Sequence, residues 1–234
     1  MSIYAVNGKE PVSAWIPSLD TSGNGTTTLT DLVGSNDGTL TNMDAGSDWP
    51  ADTDAGGVRA LDADGVNDQV LLDSSFTLAA NSGMSIWIKP AQYSAVFCGE
   101  STSEYIGVLS STRVRVRTGA VNIDFNLASG SIPLDTWHHI VIARASGSTT
   151  VWLNNSTIDT ITTDSPVVDQ FFSRLNNLFL AARMDDVRVF SVSLDSSDIA
   201  YLYNSGTGRG IVASSGAPAQ NAQHNNLRNI RMAP

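Results

Sequence analysis

The chain has 234 residues, 41% of them hydrophobic, with a mean hydropathy of −0.04, which is room for one large β-sandwich or two small domains. Its formal net charge is −10, from 23 acidic against 13 basic residues with no basic cluster, so nucleic-acid phosphates and anionic membranes are excluded as partners by repulsion. One cysteine, Cys98, excludes an intramolecular disulfide and a Cys-based zinc site; within the apolar run 95–98 it reads as a buried, inert thiol. The N-terminal stretch lacks the basic head and apolar core of a signal peptide, and no apolar run approaches transmembrane length. The expectation is a soluble protein made in a cytoplasm, unless another route exports it.

In chain order, short apolar or alternating runs come first: VSAWI, GTL, RALDA and DQVLL. The connection 21–37, rich in Gly, Thr, Asn and Asp, reads as irregular loop. A strand from Met84 to Lys89 is stopped by Pro90, and strands over 94–98 and 105–109 follow. The clearest local signal is the pair VRVRT and VNIDFNL around Gly119-Ala120. Val114 and Val116 alternate with Arg113, Arg115 and Arg117, while Val121, Ile123, Phe125 and Leu127 alternate with Asn122, Asp124 and Asn126. A two-residue loop at Gly119-Ala120 sets Arg117 opposite Asn122, Arg115 opposite Asp124 and Arg113 opposite Asn126. One face is then apolar and the other polar.

A second hairpin, WHHIVIAR and STTVWLNN, turns through Ala145-Ser146-Gly147. Next come IDTIT, a helical stretch around 167–175, and the strands NLFLAA and MDDVRVF. LDSSDIAYLYNSG reads as one short helix with Asp195 as N-cap, an inward stripe of Ile199, Leu202 and Tyr203, and Gly206 as the stop. The final segment has no apolar periodicity and reads as an extended polar tail. The division is thus 1–13 as an N-terminal extension, 14–206 as the domain and 207–234 as the tail. The fold class is all-β, an antiparallel two-sheet sandwich with one short C-terminal helix.

Several of these segments resemble the laminin-G-like, concanavalin A-like lectin/glucanase jelly rolls. ALDADGVNDQVLL is similar to that family's early strand, turn and strand, MSIWIKP to its Trp-containing strand, and DTWHHIVIAR to its Trp-His strand. VWLNNS is similar to the strand ending in an Asn turn, and MDDVRVFSVSLDSSDIAYLYNSG to the penultimate strand with its closing helix. The resemblance runs from about Ala14 to Gly206 and implies a jelly roll, a structural calcium in many members, and glycan binding.

Candidate chemistry is sparse. Glucanases of this fold set carboxylates on one strand in a Glu-x-Asp-x-x-Glu pattern, and the closest approach here, Glu100 to Glu104, lacks the middle Asp. With no nucleophile elbow, phosphate loop or HExxH, the expectation is no enzyme. His138 and His139 point to opposite faces of a strand and cannot share a metal, so both read as structural. For calcium the expected carboxylates are Asp31, Asp37 and Asp186; Asp62 to Asp68 is a further acidic turn. For a glycan the expected contacts are Trp49 and Tyr93 as exposed aromatics, with Arg113, Arg115, Arg117, Asn122, Asp124 and Asn126 as a hydrogen-bonding ladder; a mutually neutralised, solvated sheet face is the alternative. Trp87, Trp137 and Trp152 sit in strand patterns that read as core.

The functional expectation is a non-enzymatic virion-associated structural or adhesion protein: a phage capsid decoration, fibre or tail component on the virion surface. Its partners would be other assembly proteins held through the tail, copies of itself, and surface glycans, with neither nucleic acid nor membrane. The alternative is a carbohydrate-binding module of a bacterial extracellular system.

Overall fold

The computed structural model describes residues 2–20, 27–44, 46–51, 59–119, 121–127, 131–174 and 178–208. The early strands are β1 (Ser13–Trp15), β2 (Thr28–Leu29), β3 (Gly38–Thr41), β4 (Leu61–Asp64) and β5 (Gln69–Thr77). The middle of the chain forms β6 (Ser82–Pro90), β7 (Ala95–Ser101), β8 (Glu104–Ser110), β9 (Arg113–Thr118) and β10 (Val121–Asn126). The last are β11 (His138–Ala145), β12 (Ser148–Leu153), β13 (Ser156–Thr162), β14 (Val167–Phe171) and β15 (Ala181–Phe190), followed by helix α1 (Ser196–Tyr203).

These strands make two antiparallel sheets. One runs β1-β15-β6-β11-β12-β13 with β4 also on β15, and the other runs β10-β9-β8-β7-β14-β5-β3-β2. Their inner faces share one core, in which Trp15 meets Phe171 edge-on at 5.2 Å. Period-two patterning decides which side chains enter it: Val114, Val116, Ile123 and Phe125 are buried, while the residues between them face outward. Val121, expected inward, is 55% exposed because the strand end overshoots the core at the turn.

Both expected hairpins form. Strands β9 and β10 pair Arg117 with Asn122, Arg115 with Asp124 and Arg113 with Asn126, and Gly119 takes a positive φ of 57°. Strands β11 and β12 close through Ser146 and Gly147, both with positive φ (50° and 84°), the geometry of a two-residue type I′ turn.

The outer face of the first sheet is covered. Ile199 and Leu202 of α1 join Val6, Val141, Ala143, Phe190 and Leu194 in a second apolar cluster, so β6 and β11 are buried on both faces. Asp195 caps α1 by accepting from Ser197 N and Asp198 N, and Asp198 returns a bond to Asp195 N. Lys9 reaches Asp195 at 3.0 Å and also contacts Asp198, tying residues 2–12 to the helix start. Trp87, His139 and Tyr203 stack beneath the helix, with Trp87 and His139 centroids 5.0 Å apart. Trp87 is buried as expected, whereas Trp137 and Trp152 are half-buried.

Four local expectations change. The segment expected to be helical around 167–175 forms strand β14, because Val168 and Phe171 fill the core while the backbone pairs with β5 and β7 on either side. Two-sided pairing and burial override a weak local helical pattern. In NLFLAA the described residues 178–180 form no strand; Leu178 takes a positive φ of 58°, and β15 starts at Ala181. The stop of α1 is Asn204, left-handed at φ 47°, ahead of Gly206. Among residues 21–37, read as loop, Thr28 and Leu29 pair with β3. No helix among the described residues is long and apolar enough to cross a membrane.

Candidate functional site

The open outer face of the second sheet carries the polar ladder. Asp124 accepts Arg115 Nε at 2.6 Å and a second Arg115 nitrogen at 2.9 Å, and Arg113 reaches the same carboxylate at 3.3 Å. The Arg115 hydrogen bonds hold the Asp124 carboxyl below the usual carboxylate range, and that pairing raises the Arg115 guanidinium above its ordinary value. Asn122 and Asn126 are exposed beside them, with amides committed to no described partner.

Two neighbours of the ladder are not visible in its sequence. Tyr105 of β8 pairs with Arg117 across the sheet, and its ring lies under two guanidiniums: Arg174 at 4.4 Å and Arg117 at 5.9 Å. Arg174 also donates to Thr102 O at 2.8 Å. The Tyr105 position is legible only once β8 is registered against β9; Arg174 has no local signal, because the pairing of β14 with β7, distant in sequence, brings it there.

Beyond Asn126 the face runs into a groove between the free edges of the two sheets, β10 and β13. It encloses about 410 Å³, with Leu127, Leu153 and Ile158 as apolar floor and Asn126, Ser131, Ser156 and Thr157 as polar rim. That combination suits a sugar, whose C–H faces pack on apolar surface while its hydroxyls seek donors and acceptors.

The sequence matches the family described as the concanavalin A-like lectin/glucanases superfamily over residues 64–200, more than half of the chain. The chain belongs to that superfamily. No individually curated protein sequence matches it. Among solved structures it is similar to the binding domain of a paraclostridial mosquitocidal protein, at 17% identity and a TM-score of 0.59, over 83% of this chain and 52% of that one. It is similar to domain 4 of an extracellular arabinanase from Geobacillus stearothermophilus, solved with arabinotriose, at 16% identity and 0.53, over 82% and 97%. It also resembles the ligand-binding domain of botulinum neurotoxin serotype D, solved with N-acetylneuraminic acid, at 15% and 0.58, over 83% and 50%. The chain therefore spans about half the length of these toxin structures, and at such identities the likeness shows the lectin-like fold.

Within this superfamily fold the remaining expected residues are placed as follows. Trp49, expected exposed, is 3% exposed and belongs to the core, because Asp62 N donates to Asp48 O and Ala60 N to Pro50 O, which lays its segment beside β4. Tyr93 is half-buried against the core and donates its hydroxyl to Ile132 O at 2.8 Å, so neither ring is a free stacking platform. The three carboxylates named for calcium do not fit a cation site as they stand. Asp31 accepts backbone N–H groups from Ala14, Val33, Gly34 and Asn36, and Asp37 accepts Asp31 N. Asp186 is held in a buried fork by Arg188, at 2.5 and 2.8 Å. Among the described residues no three His, Cys, Asp or Glu side chains converge.

Glu104 accepts Gly119 N at 2.6 Å and Val167 N at 3.4 Å, which makes it a brace for strand ends. His139 is fully buried, hydrogen-bonded to Ser85 Oγ at 2.8 Å, and burial lowers its pKa to about 3. The expected contacts of the tail lie outside the described residues beyond Gly208.

Proposed function

We propose that this chain is a non-catalytic carbohydrate-binding domain that receives a glycan across the β8–β10 face and into the groove beyond Asn126. The observation that carries this reading is the continuity of the two surfaces. Asn126 stands opposite Arg113 on the ladder and at the same time lines the groove, so one ligand meets hydrogen-bonding side chains first and an apolar floor next. Support comes from the similar domains solved with arabinotriose and with N-acetylneuraminic acid.

The non-catalytic half of the reading rests on the carboxylates. Glycoside hydrolysis needs a proton-donating acid and a second carboxylate facing one another across the bond. On this face Asp124 is ion-paired twice and Glu104 braces backbone amides.

A broad glycan array followed by titration calorimetry tests the proposal. We expect hits with dissociation constants in the micromolar to millimolar range, and no release of reducing sugar. Asn126→Ala and the groove-blocking Ser156→Trp are each expected to weaken binding about tenfold, the loss of one or two well-formed polar contacts or of groove access. An empty array, or unchanged affinity in both variants, sinks the proposal.

A further inference from the structure

We propose that the glycan taken by this face is acidic, and that Arg117 and Arg174, held over Tyr105, form the subsite for its carboxylate or sulfate group. This rests on the glycan-binding reading above and names its ligand class.

The inference begins from an imbalance of charge. Arg113, Arg115, Arg117 and Arg174 stand on or beside one face of a chain whose formal net charge is −10. Asp124 is the one carboxylate that pairs with any of them among the described residues, and it is shared by Arg113 and Arg115. The Arg117 side chain makes no hydrogen bond to any described residue; its described contact is the Tyr105 ring. Arg174 is placed by the same ring and by the Thr102 carbonyl. An aromatic face and a carbonyl orient a guanidinium without cancelling its charge, so both cations keep their outward N–H groups and their field.

A second observation points the same way. Five buried side-chain nitrogens lack a hydrogen-bond partner among the described residues, and three of them are Nε atoms of Arg113, Arg117 and Arg174. These Nε atoms are closed to solvent and ligand alike, so what they add to the face is positive charge with no hydrogen-bonded acceptor beside it, and the donors left for a ligand are the terminal nitrogens. The other two orphans belong to His139 and Arg144, in the covered parts of the molecule.

The chemistry of the ligand follows. A planar guanidinium gives two parallel N–H donors, matched to the two oxygens of a carboxylate or to a pair of sulfate oxygens. The patch is small: two uncompensated cations and a shared pair suit one anionic group on a sugar. A polyanion such as nucleic acid extends past the patch and meets the repulsion of the acidic surface.

The test compares matched oligosaccharides in calorimetry at physiological salt, using the full chain. One arm carries sialic acid or uronate, one carries sulfate, and each has a carboxyl-reduced or desulfated counterpart; a short single-stranded DNA is the third arm. We expect the acidic forms to bind about tenfold or more tightly than their neutral counterparts, since charge-assisted bonds are the difference between them. The Arg117→Gln/Arg174→Gln pair is expected to bring the two forms level, and Arg117→Lys to retain part of the preference. The carboxylate and sulfate arms decide which acid it is. Equal affinity for acidic and neutral forms overturns this inference and leaves glycan binding standing. No glycan binding at all removes both, and preferential binding of the DNA reassigns the face and overturns the inference. A near-UV circular dichroism spectrum unchanged in the variants ties any loss to the site.

Discussion

The outer faces of the two sheets treat charge in opposite ways. On the first sheet, under α1 and the N-terminal segment, Arg188 is 1% exposed and is gripped in a fork by Asp186, with a further bond to Tyr4 O. On the second sheet, Arg117 stands half-buried with an aromatic ring beneath it and no ion pair to a carboxylate among the described residues. Water explains the difference. A covered cation must be met by a carboxylate, as Arg188 is, or by carbonyls, as Arg144 is by Thr163 O and Asp164 O, because it has lost its water, whereas an open cation is stabilised by solvent until a ligand replaces that solvent. The covered face holds the fold together, and the open face is left free to recognise something.

The largest effect that breaks this contrast is loss of the covered pair. Asp186→Ala, which strands the Arg188 guanidinium, is expected to lower the unfolding free energy by about 3–5 kcal/mol in urea titrations, and Asp186→Leu with Arg188→Met to recover much of it. If the single variant is within error of the parent, the pair does not carry the covering. Next in size is the helix lock. Asp198→Ala removes the capping-box bond and the contacts to Lys9 and Asn7, at about 1–2 kcal/mol by the same measurement.

The pH profile sharpens the comparison from both sides. Below pH 6.5 the unfolded chain protonates His139, while the folded chain, by burial and by nearby Arg188, refuses that proton until about pH 3. This group therefore removes stability as pH falls through that window. Asp68 acts oppositely: burial, with the Asp64 and Asp48 carboxylates nearby, raises its pKa from 3.8 to about 6, so the folded chain keeps a proton the unfolded chain has released. Stability from Asp68 is thus lost as pH rises from about 4 to about 6. Urea midpoints between pH 3 and 8 are expected to fall less on the acid side in His139→Gln, and to lose their decline between pH 4 and 6 in Asp68→Asn. A profile unmoved by either substitution removes these assignments. The smallest expected effect is that of Arg117→Gln, which should leave stability within about 0.5 kcal/mol, in keeping with an open, unpaired position.

How much of this was legible depends on how local the deciding interaction is. Strands β9 and β10 lie three residues apart at their nearest pair, Thr118 with Val121, and share a two-residue turn, so alternation alone yields their register and the Arg115–Asp124 pair. The capping box lies within four consecutive residues and reads equally well. Val167–Phe171 reads poorly because its conformation is dictated by β5 and β7, both distant in sequence. Trp49 misleads for a related reason: Asp, Gly and Pro around it say loop, and nothing local says that this loop lies along β4 with its indole in the core.

By itself, then, the amino-acid order determined the period-two patterning, the hairpin turns, the capped helix and the identity of the polar ladder, since each depends on residues within a turn or a strand of one another. Tertiary structure decided which cations are paired and which are not. Arg188 and Arg117 are both strand arginines that follow a valine, and only the covering by α1 on one face, and the meeting of Tyr105 with Arg174 on the other, separate a buried ion pair from a charge left open to a ligand.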